Sequence, residues 1–137
     1  MAMRGLSILM AMAVIAACFF PWVIIENRDI YFGGFDSTNQ NFGKPGLLHV
    51  VLCSIVIVLL LIGRIWSIRI AFIFCALNIA WALRNYVIIS ACRGGECPQK
   101  QPALYIILFS SLLLALFLLF IRPKSKQLSQ VSGNQIL

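Results

Sequence analysis

In the segment ACRGGECPQK, residues 91–100, Cys92 and Cys97 bracket Arg93, Gly94, Gly95 and Glu96 between two apolar runs. Two thiols so placed can close a small ring, cycle as a redox pair, or give sulfur donors to a metal. A metal needs about four nitrogen or sulfur ligands. Cys92, Cys97 and His49, the one histidine, make three on the outward side, so no metal site is expected. Bis-histidine haem ligation within one chain is excluded by the same count. A redox role draws on Arg93 beside Cys92 and Lys100 near Cys97, cations that favour a thiolate. A structural role draws on Gly94 and Gly95, which give a small ring its flexibility, and on Pro98, which turns the chain onward. In an oxidising compartment the pair is expected to form a disulfide that fixes local shape more than it raises global stability. Which compartment the pair occupies depends on the elements around it.

A second polar group interrupts the apolar run 70–90: Asn78, Trp81, Arg84 and Asn85. Positions 78, 81 and 85 share one face of a helix, expected to look into a bundle. Arg84 lies six residues before Ser90, about 9 Å below the helix end at 1.5 Å per residue, where an unpaired charge is costly. It can snorkel outward or meet an acid, and its expected partner is Glu26, with Asp36 or loop carbonyls next. As a structural lock the cluster joins the bundle to an outer cap. As a functional one it lines an outward pocket for an anionic or lipid-headgroup ligand. No catalytic residue and no cofactor-binding set emerges. Small multidrug exporters carry a membrane-embedded glutamate in their first helix, and no apolar run here contains an acid, so proton-coupled cation transport lacks its carboxylate. An anion path through Arg84 stays open.

The chain has 137 residues, 61% hydrophobic and 11% charged, well outside the usual composition of soluble domains. Its apolar runs, 5–25, 47–63, 70–90 and 103–121, are each about long enough to cross 30 Å of hydrocarbon as a helix. The expected fold is an all-α, four-transmembrane-helix bundle over residues 1–122, followed by a polar tail, 123–137, expected to be disordered and cytoplasmic. With both termini inside, the inner flanks hold Arg4, Arg64, Arg69, Arg122, Lys124 and Lys126 without an acid. The outer connections then balance Arg28, Lys44, Arg93 and Lys100 against Glu26, Asp29, Asp36 and Glu96. That is the positive-inside pattern, so an N-in/C-in orientation is expected and the net charge of +7 reports orientation. A nucleic-acid partner would need a basic soluble face with aromatic platforms, which is missing. In the first outer connection, WVIIE and IYFGGF flank the polar triplet Asn27, Arg28 and Asp29, the pattern of a short β-hairpin cap. Segment 64–69, RIWSIR, is expected to form the inner turn with a belt tryptophan. Ser110 and Ser111 are expected to pack helices or bond to their own backbone. IAAC, 15–18, also fits a lipoprotein cleavage box, but cleavage at Cys18 would leave CFFPWVII, still apolar, and the segment is read as a retained helix. Cys18, Cys53 and Cys75 are expected as small buried hydrophobes.

FFPWV at the exit of the first helix, FGKPGLLH at the entry of the second, NIAWALRN and CRGGECP together resemble small, uncharacterised four-helix inner-membrane proteins of bacteria. That resemblance covers about residues 19–105 and implies topology and an inner-membrane location with periplasmic outer connections, not an activity. The layout is loosely similar to the claudin-like tetraspan plan, but claudins hold their cysteine pair in the first outer loop. Membrane thiol oxidases and the vitamin K epoxide reductase group resemble one another in a C-x-x-C beside the quinone and a second cysteine pair. Here the spacing is C-x-x-x-x-C and the first connection has no cysteine. The expectation is a non-enzymatic accessory, scaffold or binding subunit whose partners are the lipid bilayer and other membrane proteins or a second copy. A thiol-disulfide oxidoreductase acting through Cys92 and Cys97 is the alternative, and a small transporter or anionic-ligand binder using Arg84 a further one.

Overall fold

A computed structural model describes residues 2–25, 30–35, 43–92 and 97–121. The apolar runs become four helices: α1 Ala2–Ala17, α2 Pro45–Ile62, α3 Ile65–Ser90 and α4 Pro102–Phe120. Long apolar segments fold this way because a helix satisfies its backbone groups within itself. Three of them, α2, α3 and α4, are long and apolar enough to cross a membrane. The neighbours α1–α2, α2–α3, α3–α4 and α4–α1 pack in a ring around a shared core that includes Val14, Cys53, Val56, Leu60, Ala71, Cys75, Ile107 and Leu114. Its outside is apolar as well: Leu61, Trp66 and Leu119 are 71%, 75% and 65% exposed.

The first apolar run does not continue as one helix to residue 25. α1 is 16 residues long, about 24 Å, and stops at Ala17. Its last turn tightens as Phe19 N–H donates to Ala16 O at 3.1 Å and Phe20 N–H to Ala17 O at 3.3 Å. Pro21 then brings no N–H and opens strand β1, Pro21–Ile25, where Val23, Ile24 and Ile25 suit extended backbone. Hydropathy is blind to that change of conformation, because helix and strand are equally apolar here.

β1 pairs antiparallel with β2, Ile30–Gly33, through Val23↔Phe32, Ile24↔Tyr31 and Ile25↔Ile30. The expected hairpin is therefore present, and the second connection adds to it. β3, Gln99–Lys100, pairs with the other edge of β1, so the sheet order is β2-β1-β3. The register slips between Pro21 and Val23, leaving Trp22 as the extra residue. A bulge turns its strand locally, and here Trp22 and Val23 are both buried, at 0% and 1% exposure.

At the opposite end the α2–α3 turn is shorter than the expected 64–69. Gly63, at φ 67°, closes α2 with its N–H on Leu59 O, and α3 restarts at Ile65, so Trp66 and Arg69 are helical. Arg4 donates from Nη2 to Gly63 O at 2.9 Å, placing a cation on the carbonyl end of α2. Because α2 has 18 residues and α3 has 26, α3 overshoots by about 12 Å at the cap end. The expected 123–137 tail lies outside the described residues.

Candidate functional site

The polar groups of the bundle sort into three places: a buried chain across three helices, a junction between cap and bundle, and an exposed rim on α3. The buried chain begins with Ser111 on α4, whose hydroxyl donates to Ile107 O one turn back at 2.7 Å, as its backbone-bonding reading expects. That proton being committed, Ser111 Oγ accepts from Asn78 Nδ2 at 3.0 Å. Asn78 Oδ1 then faces His49 Nδ1 at 2.7 Å, which must carry the ring proton. His49 Nε2 is left as a bare lone pair, buried and meeting no partner among the described residues. His49 and Ser111 are 0% exposed and Asn78 1%. His49 stands near the cap end of α2, and its ring points into the core opposite α3, a direction the sequence leaves open. Its register against Asn78 depends on how far α2 slides along α3, which no local pattern encodes.

Trp22 closes the bundle above this chain. Its indole lies edge-on to His49, ring centroids 6.0 Å apart, and Nε1 donates to Ala17 O at 3.2 Å. Its carbonyl accepts Gln101 N–H at 2.8 Å, which ties β1 to the start of α4. Beside it, Gly46 N–H donates to Gly34 O at 2.7 Å. A Cβ on Gly46 would come within 2.7–2.8 Å of Gly34 backbone, so only glycine lets the chain after β2 cross the first turn of α2 this closely. Nothing in the stretch FGKPGLLH signals this contact, which depends on where the chain after β2 crosses α2. Next to the junction, Phe19 stacks on Phe35 at 5.0 Å, on the wall of a cleft of about 370 Å³ also lined by Phe20, Pro21 and Gly33.

The expected cluster on α3 divides. Asn78 and Asn85 are buried, Trp81 is half-buried, and Arg84 is exposed. Trp81 Nε1 donates to Pro45 O at 3.1 Å, while the Arg84 guanidinium carbon sits 4.8 Å from the Trp81 ring centroid. Arg84 is therefore on the outside of the bundle, not in a polar pocket with the asparagines. Glu26, its expected partner, lies outside the described residues, as do Asp29, Asp36 and Glu96. On the other flank of α3, Lys100 lies over Tyr86 at 5.3 Å and Tyr86 meets Tyr105 edge-on at 6.1 Å.

Cys92 and Cys97 form a disulfide, Cα atoms 4.4 Å apart, and both are exposed. Residues 93–96 between them lie outside the described residues. Cys18, Cys53 and Cys75 are free and buried, Cys75 Sγ lying 3.8 Å from Ser111 O. Among the described residues no three His, Cys, Asp or Glu side chains are grouped so as to hold a metal ion. No protein family, no curated protein and no solved structure matches this chain.

Proposed function

We propose that this chain is a non-enzymatic membrane protein that crosses the bilayer four times with both termini in the cytoplasm, and that its cap is an outward platform on which another membrane protein or a second copy docks. The observation that carries this reading is the cap junction. Both connections at one end of the bundle contribute strands to a single sheet, and Gly34, Gly46 and Trp22 bind that sheet to the helices. A surface held in this way loses little freedom when a partner binds. The apolar exterior and the lengths of α2, α3 and α4 support the membrane setting, and the cations Arg4, Arg64 and Arg69 at the turn end support its cytoplasmic assignment. An inner-membrane location with a periplasmic cap follows from the sequence resemblance. The test is mild-detergent extraction of the full chain with cross-linking and mass spectrometry. A stoichiometric partner or dimer, lost on Phe20→Ser at the cap cleft, is expected; a chain that runs alone, with or without cross-linker, overturns the platform.

The exposed Cys92–Cys97 bond favours thiol-disulfide exchange as the second reading. Titration with alkylation separates the two. A structural bond stays oxidised until below about −300 mV, whereas catalytic pairs exchange between about −120 and −270 mV. Exchange in the latter range would put the oxidoreductase first.

A further inference from the structure

The level of Arg84 relative to the bilayer follows from the register of two helices. Trp81 Nε1 donates to the carbonyl of Pro45, the first residue of α2, so Trp81 stands level with the cap end of α2. Arg84 is one turn further out, about 4.5 Å beyond that level. The 18 residues of α2 span about 27 Å, close to the hydrocarbon thickness. Arg84 therefore belongs to the headgroup layer and not to the hydrocarbon, even though it is six residues inside α3. The overshoot of α3 accounts for both facts.

Lys44, which precedes Pro45, is exposed at the same level. Arg84 sets its guanidinium 4.8 Å from the Trp81 ring, and Lys44 is the exposed residue directly before Pro45, whose carbonyl Trp81 bonds. Trp81 is half-buried and anchored, so it acts as a fixed apolar step beside the charges. A guanidinium fork and an ammonium next to an apolar wall, facing lipid at phosphate depth, complement the phosphate of a lipid headgroup whose acyl chain lies along the helices.

We infer that Lys44, Trp81 and Arg84 form a site for an anionic phospholipid of the cap-side leaflet. The inference rests on the membrane reading above. Arg84 holds the phosphodiester in a bidentate bond, Lys44 adds the second positive charge, and the glycerol and first methylenes lie against Trp81. The site selects phosphatidylglycerol over phosphatidylcholine, because the choline cation would be repelled by the same two residues.

The full chain is reconstituted in nanodiscs of equal phosphatidylglycerol and phosphatidylcholine, extracted in mild detergent, and its retained lipids are counted by native mass spectrometry. The intact protein is expected to retain phosphatidylglycerol about tenfold over phosphatidylcholine, with Arg84→Gln losing most of that preference and Arg84→Gln/Lys44→Gln all of it. Equal retention of the two lipids by the intact protein, or an unchanged preference in the double variant, overturns the site. Loss of the preference in inorganic phosphate but not in chloride of equal ionic strength would assign the cations to a soluble anion instead. A Glu26→Gln effect on thermal stability that is coupled to Arg84→Gln would assign Arg84 to the loop carboxylate; strict additivity is expected. Flotation of the cell membranes that carry the chain, after alkaline carbonate and before detergent is added, keeps the premise separate, since a chain that fails to float refutes the membrane reading and not the lipid choice.

Discussion

Asn78 and Arg84 stand on the same helix, six residues apart, and meet opposite surroundings. Asn78 is sealed in the core and bonded on both sides, to His49 and Ser111. Arg84 is exposed and leans on Trp81. Six residues at 100° each place Arg84 about 120° from Asn78 around the helix, while Asn85, seven residues on, drifts by only about 20°. The two asparagines therefore share the inward face and the arginine cannot. Polar residues inside an apolar helix have two stable solutions: a neutral amide bonded within the bundle, as Asn78 is, and a charge held on its exterior, as Arg84 is. This helix uses both within two turns.

The contrast is broken if the rim residue proves as structural as the buried one. Asn78→Leu strands the His49 Nδ1 proton in the core and frees Ser111 Oγ, and should cost about 3 kcal/mol in detergent unfolding followed by circular dichroism. His49→Leu in that background should add less than it costs alone, by about 1 kcal/mol, since the two share one bond. Gly46→Ala puts a methyl against Gly34 backbone, and about 2 kcal/mol of destabilisation is expected from overpacking, with faster proteolysis of the cap as a separate readout. Ser111→Ala leaves one amide proton of Asn78 unbonded, a loss of about 1 kcal/mol by the same unfolding measurement. Arg84→Gln should change stability by no more than about 0.5 kcal/mol, as exposed substitutions do. An Arg84→Gln loss equal to that of Asn78→Leu would erase the distinction between interior and rim.

Much of the helical layout was legible because hydropathy and length alone place apolar runs of this kind. The hairpin was legible too, since β-branched and aromatic residues flank a polar triplet at the right spacing. The early end of α1 was not, because Cys18 to Ile25 stays apolar through a change from helix to strand. Nor was β3: Gln99 and Lys100 carry no strand signal and become one only because β1 offers a free edge. Of the candidate site, the disulfide and the inward face of Asn78 and Asn85 could be read from the spacing. The partners of Asn78 could not, as His49 and Ser111 lie 29 and 33 residues away and meet it only through helix register. Arg84 was correctly measured from the end of its own helix, yet its depth depends on the shorter α2 beside it.

The central claim, a membrane-embedded bundle with an outward cap, is tested most directly by labelling single cysteines in intact cells with a membrane-impermeant maleimide. Asn39→Cys, in the connection after β2, should label from outside, and Ser129→Cys, in the C-terminal tail, should label only after permeabilisation. Labelling of Ser129→Cys but not Asn39→Cys in intact cells would invert the orientation and put the cap and its disulfide in the cytoplasm, which contradicts the account.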